Sequence, residues 1–124
     1  MLKVLYAHCQ AIYGTLQEQR DVKLLEALGF EVVNPSDSKH AEGYKHAGMD
    51  YSLTLIQEVD VVAFRALPDG SIPAGIAKEL AWARGEGLDR AEVKLIIELP
   101  SLPPLRKVLS VSATRQYLHE IGQR

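Results

Sequence analysis

Glu79 is the side chain in this 124-residue sequence best placed to do chemistry. It stands in Gly75-Ile-Ala-Lys-Glu79-Leu-Ala-Trp-Ala83, which follows the Pro/Gly-rich run Leu67-Pro-Asp-Gly-Ser-Ile-Pro-Ala-Gly75. That order predicts a loop entering a helix, with Glu79 near the helix start. A carboxylate there can serve as nucleophile or as acid/base, and the helix dipole and free amides favour its ionised form, opposing any upward push from burial. His8 is the second candidate, because an ordinary pKa near 6.5 suits a proton donor or a group that recognises a base. Both residues also have plain structural roles: Glu79 as an exposed helix residue paired with Arg84, His8 as a polar residue closing a strand.

The elements that must position these groups alternate along the chain. Asp60-Val-Val-Ala-Phe64 reads as a buried parallel strand, so Glu79 falls on the ligand-binding rim of a sheet. Lys3 to Ala7 suits a first strand, and Thr15-Leu-Gln-Glu18 offers a capping box for a helix through Leu24, Leu25 and Leu28 that Gly29 ends. Phe30 to Asn34 gives a second strand. From Pro35 to Gly48 runs a long polar connection carrying Asp37, His40, Glu42, Tyr44 and His46, a length typical of binding loops. A helix over about Asp50 to Glu58 packs Leu53, Leu55 and Ile56 on the sheet, and the Glu79 helix runs from near Pro73 to Gly85–Gly87. Val93 to Ile97 is a fourth strand. The cluster from Pro100 to Pro104 breaks the chain before Val108-Leu-Ser-Val111 and a last helix capped by Ser110 or Ser112. This alternation implies an α/β fold, a flavodoxin-like three-layer sandwich with a mainly parallel sheet of four or five strands, within a single domain spanning 1–124.

Composition narrows the function classes. With 47% apolar residues the chain can build a core, and 14 basic against 16 acidic side chains leave a formal charge of −2. That balance gives no electrostatic footprint for a nucleic acid polymer or an acidic membrane, so a small molecule or a protein is the expected partner. One cysteine, Cys9, excludes an intrachain disulfide framework and fits a cytoplasmic, reducing compartment; it has no local signature of an activated thiol. No run is long enough to span a membrane, and Met1 to Tyr6 leads directly into a strand rather than a leader. His40, Glu42 and His46 match no established zinc spacing, so neither metal nor cofactor is expected. Trp82 reads as a packing or subunit-interface residue.

The strand Asp60-Val-Val-Ala, the Asp-Gly loop and Gly75-x-x-x-Glu79-x-x-x-Ala83 together resemble the nucleoside 2-deoxyribosyltransferase superfamily, which includes deoxynucleoside-monophosphate N-glycosidases and many small members. Val4-Leu-Tyr-Ala7 is similar to that family's first strand, and Leu109 to Leu118 to a terminal helix of its small members. The resemblance makes Glu79 the nucleophile of N-glycosidic bond cleavage or transfer on a deoxynucleoside or deoxynucleotide, and implies a homo-oligomer. The family's catalytic Asp aligns with Ser52, and the nearest carboxylate, Asp50, lies two positions earlier. On a helix two positions are about 200° apart, so Asp50 can substitute only if its helix starts late or irregularly. Pro73 occupies a family Asp/Ser position, with Ser71, Asp69 and loop amides as neighbours. Tyr6, beside the family Tyr position at Leu5, is expected to line the substrate pocket together with His8, Ser52, Ser71 and Gly75.

Two other function classes fit the same pattern. One is a non-catalytic nucleotide- or metabolite-binding module, favoured by Ser52 and Pro73. The other is an oligomeric interaction protein in which Trp82 and Tyr117 mediate self-association.

Overall fold

A computed structural model describes residues 1–86, 93–100 and 107–120. In chain order the elements are β1 (Lys3–Ala7), α1 (Leu16–Ala27), β2 (Glu31–Val33), α2 (Ala41–Ala47), α3 (Met49–Glu58), β3 (Val61–Phe64), β4 (Ser71–Ile72), α4 (Ala74–Ala83), β5 (Leu95–Glu98), β6 (Lys107–Val108) and α5 (Val111–Glu120). The main sheet has the order β2-β1-β3-β5 and every pairing in it is parallel, with Val4 opposite Val32 and Val61, and Val62 opposite Ile96.

Period-two alternation sends neighbouring strand residues to opposite faces, which is why β1 and β3 read as continuous apolar runs: both faces are covered. Val4, Tyr6, Val61 and Ala63 pack with Leu25 of α1 on one face. Leu5, Ala7, Val62 and Phe64 pack on the other with Leu55 and Ile56 of α3, Ile76 and Leu80 of α4, and Leu118 of α5. The result is a flavodoxin-like three-layer α/β sandwich whose connections at the carboxyl ends of β1, β2 and β3 gather on one rim.

Local signals explain most boundaries. Thr15 caps α1, its hydroxyl accepting from the Glu18 amide at 3.3 Å, and Gly29 ends the turn after it at φ 93°. Of the three α1 leucines named from sequence, only Leu25 is buried; Leu24 and Leu28 face outward. Ser110 rather than Ser112 caps α5, accepting from the Ala113 amide at 3.1 Å. Within the run Val108–Val111, assigned no element of its own from sequence, Val108 ends β6 and Val111 already opens α5. Gly87 and most of the Pro100–Pro104 cluster lie outside the described residues.

Three elements were not visible in the sequence: β4, β6 and α2. β4 pairs in parallel with β6, Ser71 opposite Lys107, forming a small second sheet where only a turn was expected. The long connection after β2 contains a 3-10 turn at Ser38–His40 and then α2, a helix disguised by Gly43 in its middle. Gly43 is there for space: a Cβ on it would lie 2.1 Å from Cε1 of Tyr51, so the α2 backbone packs directly on that ring. Among the described residues no helix is long and apolar enough to cross a membrane.

Candidate functional site

Glu79 is the sixth residue of α4, one turn beyond the helix start. The first-turn amides are out of its reach, and part of them are committed: the Ala74 amide donates to Thr114 Oγ1 at 3.2 Å and that of Ala77 to the Pro73 carbonyl at 2.9 Å. The expected ionised state therefore has no support from the dipole. Glu79 is only 9% exposed, its Oε2 has no hydrogen-bond partner among the described residues, and burial pushes its pKa up to about 8. That shift favours the protonated carboxylic acid at neutral pH.

The carboxyl lines a cavity of about 770 Å³ on the rim where the sheet's carboxyl ends meet. His8 and Tyr13 come from the segment after β1, Ser36 and Asp37 from the one after β2, and Tyr44 and Ser52 from α2 and α3. Gly75 lies on the α4 side, and Thr114 and Arg115 on the α5 side. Ser52 is 1% exposed, and its hydroxyl shares a 2.8 Å hydrogen bond with that of Tyr44. Burial pushes the Tyr44 pKa up to about 12 and raises that of Tyr13, and the Glu79 carboxyl adds to both shifts.

His8 closes the wall beneath the cavity. Its Nδ1 lies 2.8 Å from the Tyr6 carbonyl oxygen, its Nε2 lies 2.7 Å from Glu18 Oε2, and its ring stacks on Tyr6 at 3.7 Å with Tyr13 tilted against it. Burial lowers its pKa, while the Glu18 carboxylate pulls it back up. Glu18 does not complete the capping box on Thr15; its Oε1 accepts from the Gly14 amide at 3.2 Å. Behind this pair lies a second buried cluster, in which the Tyr6 hydroxyl and the Arg65 Nε both donate to Asp21 Oδ2, and Arg65 Nη2 donates to Asp21 Oδ1 at 2.7 Å.

Of the residues singled out in the sequence, Glu79, His8, Ser52 and Gly75 line one cavity. Asp50 does not line it: α3 is helical from Met49, so the roughly 200° between positions 50 and 52 turns Ser52 inward and leaves Asp50 exposed. Tyr6 and Ser71 are buried off the lining, the first bonded to Asp21 and the second donating its hydroxyl to Asp69. Cys9 lines the cavity as a buried thiol whose pKa burial raises. His40, Glu42 and His46 diverge: His40 Nδ1 meets the Tyr51 hydroxyl at 2.6 Å, whereas Glu42 and His46 pair on the surface at 3.0 Å. Among the described residues no three metal-binding side chains cluster.

Sequence reasoning missed Tyr13 and the Asp21–Arg65 pair. Tyr13 follows β1 by six residues with no pattern around it, and Asp21 and Arg65 are 44 positions apart, each looking like an ordinary surface charge. No protein-family model, curated protein or solved structure matches this chain.

Proposed function

We propose that this protein cleaves or transfers at the N-glycosidic bond of a deoxynucleoside or deoxynucleotide, with the Glu79 carboxylate attacking the anomeric carbon. The observation that supports this reading is a buried carboxyl with an unpartnered oxygen, on the lining of a cavity of about 770 Å³ at the rim of a parallel sheet, within the size range of small-molecule sites. The resemblance of the Gly75–Ala83 segment to the nucleoside 2-deoxyribosyltransferase superfamily points to the same residue. In its ionised form Glu79 would form a glycosyl ester, released by water as hydrolysis or by a second base as transfer. Tyr13 and Tyr44 give the cavity aromatic walls.

The test is release or exchange of base over a panel of deoxynucleosides and deoxynucleotides, followed by chromatography. Glu79→Gln should lower turnover by at least about 100-fold. A wild-type protein inactive across the panel, or Glu79→Ala with unchanged turnover, would overturn the reading.

The exposure of Asp50 favours a second reading, a binding module without chemistry. Its signature is saturable ligand binding with no product. Self-association belongs to the leading reading, since Val111 is an exposed apolar residue on the cavity lining. Sedimentation of wild type against Val111→Asp tests it: an unchanged monomer in both would remove the oligomer from the proposal.

A further inference from the structure

Breaking the bond between an anomeric carbon and a neutral base makes two demands. A nucleophile or a charge must support the sugar on one face, and a proton must reach the departing nitrogen. The cavity answers the first demand with Glu79. One carboxyl cannot attack the carbon and protonate the leaving group on its far side, so the second demand needs another residue.

The lining offers none in position. Among the described lining residues the only other carboxylate is Asp37, exposed at the rim. The His8 side chain has no exposed surface, and its two nitrogens are engaged by the Tyr6 carbonyl and Glu18. The Lys78 ammonium sits 5.0 Å from the centre of the Trp82 ring. The Tyr44 hydroxyl is taken up with Ser52, and burial makes Tyr13, Tyr44 and Cys9 weaker acids than usual. What the cavity does have on its lining is the Glu79 carboxyl, whose buried Oε2 lacks a hydrogen-bond partner among the described residues, together with two tyrosines; Lys78 and Arg115 are its cationic lining residues. A cation with an aromatic face suits both, pairing with the carboxylate and stacking on the rings.

Building on the N-glycosidic reading, we infer that the substrate is a glycoside of a cationic aromatic base, a pyridinium-type ring whose departure needs no proton. The carbon–nitrogen bond breaks heterolytically and its electron pair stays on the ring nitrogen, which turns the pyridinium into a neutral pyridine. The Glu79 oxygen forms the new bond to the anomeric carbon. Water then hydrolyses that ester, returning the carboxylate and releasing the free sugar and one proton. No oxidant, reductant or proton donor enters. The resting proton on Glu79 leaves when the cation enters, because a buried positive ring favours the carboxylate form.

The test compares glycosides that share one sugar: 2-deoxyribosyl nicotinamide against 2′-deoxyadenosine and 2′-deoxyinosine, each as the rate lost in Glu79→Gln. The expected kcat/KM for the pyridinium compound is about 10²–10⁴-fold higher, the size of a missing general-acid contribution. Glu79-dependent turnover of the neutral nucleosides at equal efficiency overturns the cationic assignment and leaves the N-glycosidic reading intact. Absence of Glu79-dependent turnover for every compound overturns both. Calorimetry separates recognition from the intrinsic lability of pyridinium glycosides: N-methylnicotinamide cation should bind more tightly than neutral nicotinamide and release about one proton per site at pH 7, a release that Glu79→Gln abolishes. Equal binding of the two rings, or binding without proton release, overturns the inference.

Discussion

His8 and Glu18 meet at 2.7 Å while the other His8 nitrogen lies 2.8 Å from the Tyr6 carbonyl oxygen, so both ring nitrogens face acceptors. This geometry is satisfied only if the pair holds a proton in addition to the one on neutral imidazole. Glu18→Gln should be mild, since its amide can donate to a neutral Nε2 while Nδ1–H keeps the carbonyl. His8→Ala removes one of the hydrogen-bond partners of the buried Glu18 carboxyl and should cost about 1–3 kcal/mol in urea unfolding. Burial pushes the Glu18 pKa up, but the hydrogen bonds from His8, Ser36 and the Gly14 amide outweigh it and hold it below 4.5. A lowered carboxylate pKa means the unfolded chain binds the proton first. The Glu18 contribution is thus present above pH 4.5 and lost as pH falls through the lower folded value.

Glu79 has the opposite sign. Its pKa rises from 4.5 unfolded to about 8 folded, so between those values the native state holds a proton that the unfolded chain has released. Stability should therefore decline as pH rises from 4.5 to 8 and level off above it. Glu79→Gln removes the cause and should show a flatter curve, gaining a few kcal/mol on wild type at pH 8. Parallel curves for the two proteins would mean that Glu79 is solvated in solution.

The same shift sets the expected activity profile. If the ionised Glu79 attacks, kcat/KM reports the free enzyme and should climb with pH to a plateau above about 8. With a pyridinium glycoside bound, kcat should reach its plateau at lower pH, because the cation stabilises the carboxylate. A single shared midpoint for kcat and kcat/KM would show that the substrate leaves Glu79 unperturbed.

Asp21 and Arg65 form a two-point ion pair with 2% and 8% exposure, and the Arg65 Nη1 also donates to the Pro100 carbonyl at 2.8 Å. Removing either partner leaves a charge in the core beneath β1. Arg65→Met or Asp21→Leu alone should cost about 3–5 kcal/mol, and the double substitution less than the sum of the two. Additive single costs in chemical denaturation would show that the two charges do not interact.

Gly43→Ala tests how α2 is seated. The new methyl would overlap the Tyr51 ring, which is fixed by the hydrogen bond to His40 and an edge contact with Tyr44. Tilting α2 moves Tyr44 relative to Ser52, so the variant should lose about 1–3 kcal/mol of stability and also weaken ligand binding in the cavity. Loss of stability with unchanged binding would uncouple α2 from the site.

The alternating apolar runs and turn residues sufficed for β1, α1, β2, α3, β3, α4, β5 and α5, because each is written locally: Thr15 as a cap, Gly29 as a stop, four consecutive apolar residues in Val61–Phe64. Glu79 could be found on the sheet rim for the same reason, since a strand, a loop and a helix in that order fix where the helix starts. α2 escaped because what seats it, the Tyr51 ring against Gly43, comes from another helix. β4 escaped because two residues carry no period and their partner strand lies 36 positions away.

The sequence by itself determined the layers, the rim and the position of one carboxylate on it, all consequences of periodicity and chain order. The tertiary structure decided the charge state and the company of that carboxylate. A sixth-position glutamate has no first-turn amides to stabilise its charge, and the helices packed around it remove the water that would. The same packing turned Ser52 in and Asp50 out, a choice that depends on where α3 meets the sheet and that no spacing of carboxylates along the chain can express.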